Sequence, residues 1–274
     1  MPDAAIQIEN VHVEYPVAGA AARSVLNGIS LKIEGGEFVA IVGETGCGKS
    51  TLLRLILGEE RPTRGRVLVN GYERRQPDRH CGYVPQKYSL FPDKTVLDNV
   101  TFGPEVTAFG AWSAVRWIRP GQMRRFREEA LGYLRHTGLD ESDARKYPYQ
   151  LSGGMQQRVA IAQALIMKPP ILLMDEAFSA LDPATRTGMQ RLIKKLWRES
   201  GATVVFVTHN TREAVCLGTR VIALAKNGDG NRGASIALDL AVPNLDFDSD
   251  ECDIGNLVRE VDSATMRERP LVYN

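Results

Sequence analysis

The sequence predicts an α/β fold, with a mainly parallel sheet core and a helical subdomain inserted into it. Three observations lead there. Short apolar runs bounded by glycine or proline recur along the chain. The later ones alternate with helical patterns, which implies a largely parallel sheet covered on both faces. Between about residues 95 and 168 the strand signal gives way to helical periodicity and then returns. The core is therefore read as about 1–94 and 169–226, the helical subdomain as about 95–168, and about 227–274 as a C-terminal extension.

The elements follow in order. Ile6 to Tyr15 alternates in polarity, and Ser30 to Ile33 and Glu37 to Val42 are short apolar runs between glycines, so all three read as strands. Ser50 to Leu57 follows a glycine-rich turn with helical character, and Gly58 is its stop. Gly65 to Val69 and Gly82 to Val84 read as further strands. In the insert, Phe126, Ala130, Tyr133 and Leu134 mark a helix from Arg124 to His136, and Met155 to Met167 is another. Core strands resume at Pro170 to Asp175, Ala202 to Thr208 and Arg220 to Ala225, with a helix at Pro183 to Glu199. The tail holds a turn cluster at 227–233, a strand at Ser235 to Leu240, and an acidic run from Asp246 to Asp253 that reads as a solvated linker before a last helix. No internal repeat is present.

Composition narrows the function. The 274 residues are 43% hydrophobic, enough for a sizeable core. The net charge of +1 argues against a polyanion, so no nucleic-acid partner is expected. No apolar run approaches a bilayer's thickness, and the opening MPDAAIQIEN lacks a basic-then-apolar signal, so any membrane role is expected to be peripheral. Cys47, Cys81, Cys216 and Cys252 are scattered without CxxC pairing, as expected of isolated thiols in a reducing compartment.

The chemistry begins at Gly43-Glu44-Thr45-Gly46-Cys47-Gly48-Lys49-Ser50, a P-loop pattern set between a strand and a helix that runs from Thr51. Backbone N–H groups of such a turn converge on phosphate oxygens, and the helix N-terminus adds partial positive charge. Lys49 is expected at the β- and γ-phosphates, and the Ser50 hydroxyl on Mg²⁺.

A second element is an apolar strand, Ile171 to Met174, that ends in Asp175 and Glu176. Asp175 is expected to orient the metal, and Glu176, one residue further, to act as general base on the attacking water.

A third is Leu151-Ser152-Gly153-Gly154-Met155-Gln156-Gln157-Arg158, which places a second anion-binding helix N-terminus in the same chain. One γ-phosphate does not need two such cradles from one molecule. A head-to-tail dimer, each Ser152-Gly153-Gly154 facing the other copy's P-loop, accounts for both.

With these three motifs the sequence resembles the ATPase subunit of ATP-binding cassette (ABC) transporters, from roughly Ile6 to Ala225. The resemblance implies that family's fold, with an antiparallel β subdomain beside the parallel core. It also implies ATP and Mg²⁺ as ligands. Gln86, in Gly82-Tyr-Val-Pro-Gln86, matches the glutamine that senses the metal and water. Ser179 to Asp182 matches a loop whose Asp182 couples the two sites, and Gln156 falls among the signature residues facing nucleotide. His209, after the strand ending at Thr208, matches the switch histidine that contacts the γ-phosphate. A histidine so placed is by itself more often a structural hydrogen-bonder; the motif order reverses that reading. His12, His80 and His136 have no such support and read as structural. Tyr15 resembles the aromatic residue that stacks on adenine, and a core position is its other reading.

Within the family the details are similar to the nitrate, sulfonate and taurine uptake group: the Met155 form of the signature, Phe178 to Asp182, Phe206 to His209, Met189-Gln190 and Glu213 to Val215. Asn210 departs from it, standing where that group usually has aspartate. A longer stretch, Thr107 to Met123, carries Trp112, Val115, Arg116, Trp117, Ile118 and Arg119. Its tryptophans read either as an anchor for a permease or as internal packing.

The resemblance implies a homodimer on the cytoplasmic face of the inner membrane, bound to integral-membrane permease subunits and served by a periplasmic-type solute-binding protein. Closing around two ATP·Mg²⁺, hydrolysis by water activated at Glu176, and reopening would drive a permease. Catalysis would rest on positioning and on charge neutralisation by Lys49, Mg²⁺, His209 and the partner copy's signature residues. Export-type or lipid-handling cassettes, and soluble cassettes acting on nucleic acid or ribosomes, are the competing classes. Nothing in such a motor reads the solute itself.

Overall fold

The computed structural model describes residues 4–87, 89–109, 120–226, 232–243, 245, 247 and 250–266. The tryptophan-bearing stretch falls largely outside them: Trp112, Val115, Arg116, Trp117, Ile118 and Arg119 are not among the described residues. The chain forms two compact units, one of residues 1–81 and 200–274 and the other of residues 82–199.

The first unit is built on eight strands in the order β5-β4-β1-β2-β10-β9-β3-β8. One half is antiparallel. β1 (Ala4–Val17) and β2 (Ala20–Glu34) form a long hairpin, and β4 (Arg64–Val69) with β5 (Tyr72–Glu73) continues it beyond β1. The other half is parallel: β3 (Phe38–Gly43) lies between β8 (Thr203–Val207) and β9 (Arg220–Lys226). β10 (Arg232–Ala241) joins the halves, antiparallel to β9 and parallel to β2. β3 is buried from Phe38 to Val42 and β8 is buried throughout. Such two-sided burial explains why these strands read as unbroken apolar runs rather than alternating ones.

The hairpin is longer than its sequence signal. β2 was expected only over Ser30 to Ile33, yet it begins at Ala20, because pairing with β1 and β10 extends a strand whose own residues alternate weakly. α1 (Lys49–Leu57) follows β3 and ends at Gly58, whose N–H donates to the carbonyls of Arg54 and Leu55. α6 (Thr211–Leu217) follows β8, and α7 (Glu251–Met266) packs on α6, β9 and β10, burying Ile254, Val261 and Ala264. The last three residues of the acidic run open α7 rather than forming a linker. Glu251 and Asp253 sit in its first turn, where the helix dipole favours negative charge, and Glu251 also pairs with Arg212 at 2.5 Å.

Among the described residues the second unit holds β6 (Cys81–Val84) from Gly82 onward, β7 (Ile171–Asp175) beside it, and the α-helices α2 (Val96–Phe109), α3 (Pro120–His136), α4 (Gly153–Leu165) and α5 (Pro183–Ser200). α2, α3 and α4 meet around Val96, Val100, Ala130, Leu134, Val159 and Ala162, all buried, which gives the insert an apolar core of its own. No helix among the described residues is long and apolar enough to cross a membrane.

Candidate active site

In the first unit, β3 and β8 run parallel, with Ile41 opposite Val207. The chain leaves both strands at the same end, so two loops emerge side by side at the carboxyl edge of a parallel sheet, where ligands of open α/β sheets bind. From β3 comes the loop Gly43 to Gly48; from β8 comes His209.

The loop can be built only with glycine at its ends. A Cβ at Gly43 would stand 2.5 Å from the Leu224 carbonyl oxygen, and one at Gly48, where φ is +105°, would stand 2.7 Å from Leu26 Cδ2. Between them Glu44, Thr45 and Gly46 are exposed, while Cys47, Gly48 and Lys49 are buried. Burial pushes the Cys47 thiol pKa up, against the pull of nearby Lys49. Lys49 is only 5% exposed, and its ammonium donates to the carbonyls of Gly43 at 2.7 Å and Glu44 at 3.0 Å. Those bonds curl the loop around the lysine. Ser50 and Thr51 follow in the first turn of α1, where backbone N–H groups have no partner within the helix. A left-handed turn of backbone, a buried ammonium and an open helix N-terminus fit a phosphate chain.

His209 is exposed between two fixed neighbours. Thr208 is 2% exposed; its N–H donates to the Ile41 carbonyl and its hydroxyl donates to Glu213 at 2.5 Å. Asn210 caps α6, its Oδ1 accepting from the Glu213 N–H at 3.1 Å. Asparagine and aspartate cap equally well, so the departure at Asn210 removes a charge and keeps the cap. Tyr15 is 36% exposed on β1, so it is no core residue, and its hydroxyl donates to Glu60.

The second unit carries the carboxylates. β7 is buried from Ile171 to Asp175, and Asp175 at its end is 4% exposed. Glu176 follows with φ at +45°, a left-handed conformation that costs a non-glycine residue of order 1 kcal/mol and is concentrated at functional sites. Its Oε2 accepts a hydrogen bond from Gln86 Nε2 at 2.8 Å. Gln157, fully buried on α4, donates to the Pro85 carbonyl at 3.3 Å and so anchors the backbone next to Gln86. Gln157 was not singled out from the sequence, because nothing in an octet of motif residues says which side chain reaches back 72 positions.

Ser152 is the N-cap of α4, its Oγ accepting from the Met155 N–H at 3.3 Å. A hydroxyl that accepts keeps its own proton to donate outward. Gly153 and Gly154 form the helix's first residues, and Gln156 turns its amide back to the Leu151 carbonyl at 3.2 Å. Asp182 is exposed, and hydrogen bonds from the Thr185 side chain and backbone hold its carboxyl below the usual range. Each unit thus collects part of the predicted set: Tyr15, Gly43 to Thr51 and His209 in one, and Gln86, Ser152 to Gly154, Gln156, Asp175, Glu176 and Asp182 in the other.

Known proteins match this arrangement. The model of the ABC transporter family matches residues 26–179. The aliphatic sulfonates import ATP-binding protein SsuB of Pseudomonas putida is 44% identical over 221 residues, which covers 81% of this chain and 74% of that protein. The taurine import ATP-binding protein TauB of Ruegeria pomeroyi is 36% identical over 220 residues, covering 80% and 77%. Among solved structures, the dimeric post-hydrolysis state of the ATP-binding cassette MJ0796 bound to ADP and Pi aligns with a TM-score of 0.74 and 36% identity, over 87% of this chain and 99% of that one. The chain belongs to the ABC transporter family, as an ATP-binding subunit whose hydrolysis of ATP is coupled to transport.

Proposed function

We propose that this subunit powers the uptake of a small organic or inorganic anion, of the kind handled by sulfonate, taurine and bicarbonate importers. The import names of the sulfonate and taurine relatives favour this over the export and nucleic-acid readings. The observation that carries the hydrolytic role is Glu176: a carboxylate at the end of a buried strand, in a left-handed backbone position, oriented by Gln86.

The residues take the following parts. The N–H groups of Gly46 to Ser50 and the Lys49 ammonium hold the β- and γ-phosphates of ATP. Tyr15 stacks on the base. Glu176 takes a proton from the attacking water, and Gln86 keeps its carboxylate aimed. His209 steadies the γ-phosphate as charge builds on it.

The Ser50 hydroxyl, the Asp175 carboxylate and the Gln86 carboxamide are hard oxygen donors, the set that suits Mg²⁺. When bound, that ion neutralises charge shared between the β- and γ-phosphates. Two copies pair head to tail, the Ser152 hydroxyl and the N–H groups of Gly153 and Gly154 of each presented to the other's nucleotide, with Asp182 coupling the two sites. The dimer rests on the cytoplasmic face of the inner membrane against permease subunits, with a solute-binding protein on the far side.

The test is co-purification with the permease, reconstitution in liposomes, and assay of ATPase activity with taurine, alkanesulfonates, nitrate and bicarbonate. Stimulation by one of these together with its inward accumulation is the expected result. ATP-driven outward movement would overturn the import reading.

A further inference from the structure

The Tyr15 hydroxyl finds its partner beyond its own strand pair. It donates to Glu60 Oε1, 45 residues away. The other carboxylate oxygen of Glu60 accepts from Arg54 Nε at 3.2 Å, and Arg54 Nη2 donates to Thr51 Oγ1 at 3.2 Å. The backbone repeats the tie, since the Glu59 and Glu60 N–H groups both donate to the Arg54 carbonyl. Glu60 is therefore fixed twice onto α1, and the Glu60 side chain is only 19% exposed. The Arg54 guanidinium gains further from these partners. Burial works against its charge, but the bonds to Glu60 and Tyr15 outweigh that and raise its pKa.

The same neighbourhood reaches the phosphate loop by a second route. Tyr15 faces Arg23 across the β1–β2 ladder. Two and three residues further along β2, Val25 and Leu26 crowd the Cβ position of Gly48. Tyr15 thus stands beside the loop, joined to the helix that follows it by a chain of three hydrogen bonds.

We propose that Glu60, clamped by Arg54, is a positioning residue that fixes the Tyr15 ring for the nucleotide base and locks it to the phosphate-binding helix. The inference rests on reading Tyr15 as the base's stacking partner. A partly exposed tyrosine otherwise turns about two side-chain torsions and must be immobilised when a base stacks on it. With its hydroxyl pinned, that ordering is done before the nucleotide arrives. The pin acts on the base and not on the phosphates, so it predicts a loss confined to one part of the ligand.

The experiment compares the affinity of the full chain for ATP and for inorganic tripolyphosphate, both with Mg²⁺, across Tyr15→Ala, Tyr15→Phe, Glu60→Ala, Glu60→Gln and the double variant Tyr15→Phe/Glu60→Ala. Tyr15→Phe and Glu60→Ala should each weaken ATP about fivefold, the worth of a net hydrogen bond, and leave tripolyphosphate unchanged. The double variant should bind ATP no worse than either single one, because both remove the same bond. Glu60→Gln leaves one acceptor for the phenol but sets an amide donor against Arg54 Nε, so it should weaken ATP, though less than Glu60→Ala, and leave tripolyphosphate unchanged. Equal weakening of both ligands in Glu60→Ala, or no weakening of ATP in Tyr15→Phe, would overturn the positioning role. Unchanged ATP affinity in Tyr15→Ala would instead remove the stacking reading, and the inference with it.

Discussion

Gln86 and Glu176 lie 90 residues apart in the chain and are joined by a hydrogen bond of 2.8 Å, amide nitrogen to carboxylate oxygen. The bond ties the loop after β6 to the acid that follows β7. The bond holds that carboxylate in one orientation.

The first prediction follows from that pair. Glu176→Gln keeps the shape and removes the proton acceptor, so ATP binding should persist while kcat falls by about a hundredfold or more. Fluorescent-nucleotide binding and phosphate-release assays measure the two quantities. Turnover at the wild-type rate in this variant would remove Glu176 from the role of base.

A second prediction concerns Lys49. Its ammonium closes the loop onto the carbonyls of Gly43 and Glu44, and in the proposed mechanism it supplies the charge that faces phosphate. Lys49→Ala should lower ATP affinity at least about tenfold, and Lys49→Arg should not restore it, because a planar guanidinium cannot take the place of a compact ammonium in a closed turn. Calorimetric titration with Mg²⁺ and ATP checks this.

Asn210 offers a third. As the cap of α6 it should contribute about 1 kcal/mol, so Asn210→Ala should lower the midpoint of chemical denaturation and Asn210→Asp should not. Equal losses in both variants would mean that the capping oxygen does not account for the contribution of this position.

The thiols give a fourth. Cys47, Cys81 and Cys216 are buried and Cys252 is exposed, so one thiol per chain should react with a maleimide in the native protein and four after denaturation. Burial pushes the Cys81 pKa up to about 11, and the nearby Arg74 guanidinium lowers it only in part. A thiol whose folded pKa is raised adds stability below its unfolded value, near 9.0, and that contribution is lost as pH climbs through about 11. Stability should therefore fall over this alkaline range, and less steeply in Cys81→Ala. Denaturation midpoints at several pH values, wild type against variant, measure the difference.

The local structure of the candidate site was legible in the sequence because it is set by neighbours in the chain. Gly43 to Ser50, Ser152 to Gly154 and Asp175-Glu176 each lie within a few residues of one turn, cap or strand end, where residue type dictates conformation. The parallel strands were equally clear, since burial on both faces writes an unbroken apolar run. Weaker signals failed. β2 was expected over four residues and spans fifteen, because its extension depends on partners β1 and β10 rather than on its own pattern. The last three residues of the acidic run were expected to be solvated linker, yet they begin α7, where the helix dipole and Arg212 give the charges a place.

By itself, then, the sequence determined where the glycine-rich loop, the Ser152 cap and the strand-end carboxylates lie and what order of strands and helices carries them, because those demands fall on backbone angles and on neighbours in the chain. Only the tertiary structure decided which distant side chains hold them in place: Gln86 on Glu176, Gln157 on Pro85, and Glu60 on Tyr15. A hydrogen bond between residues dozens of positions apart depends on how elements pack, and no local pattern records it.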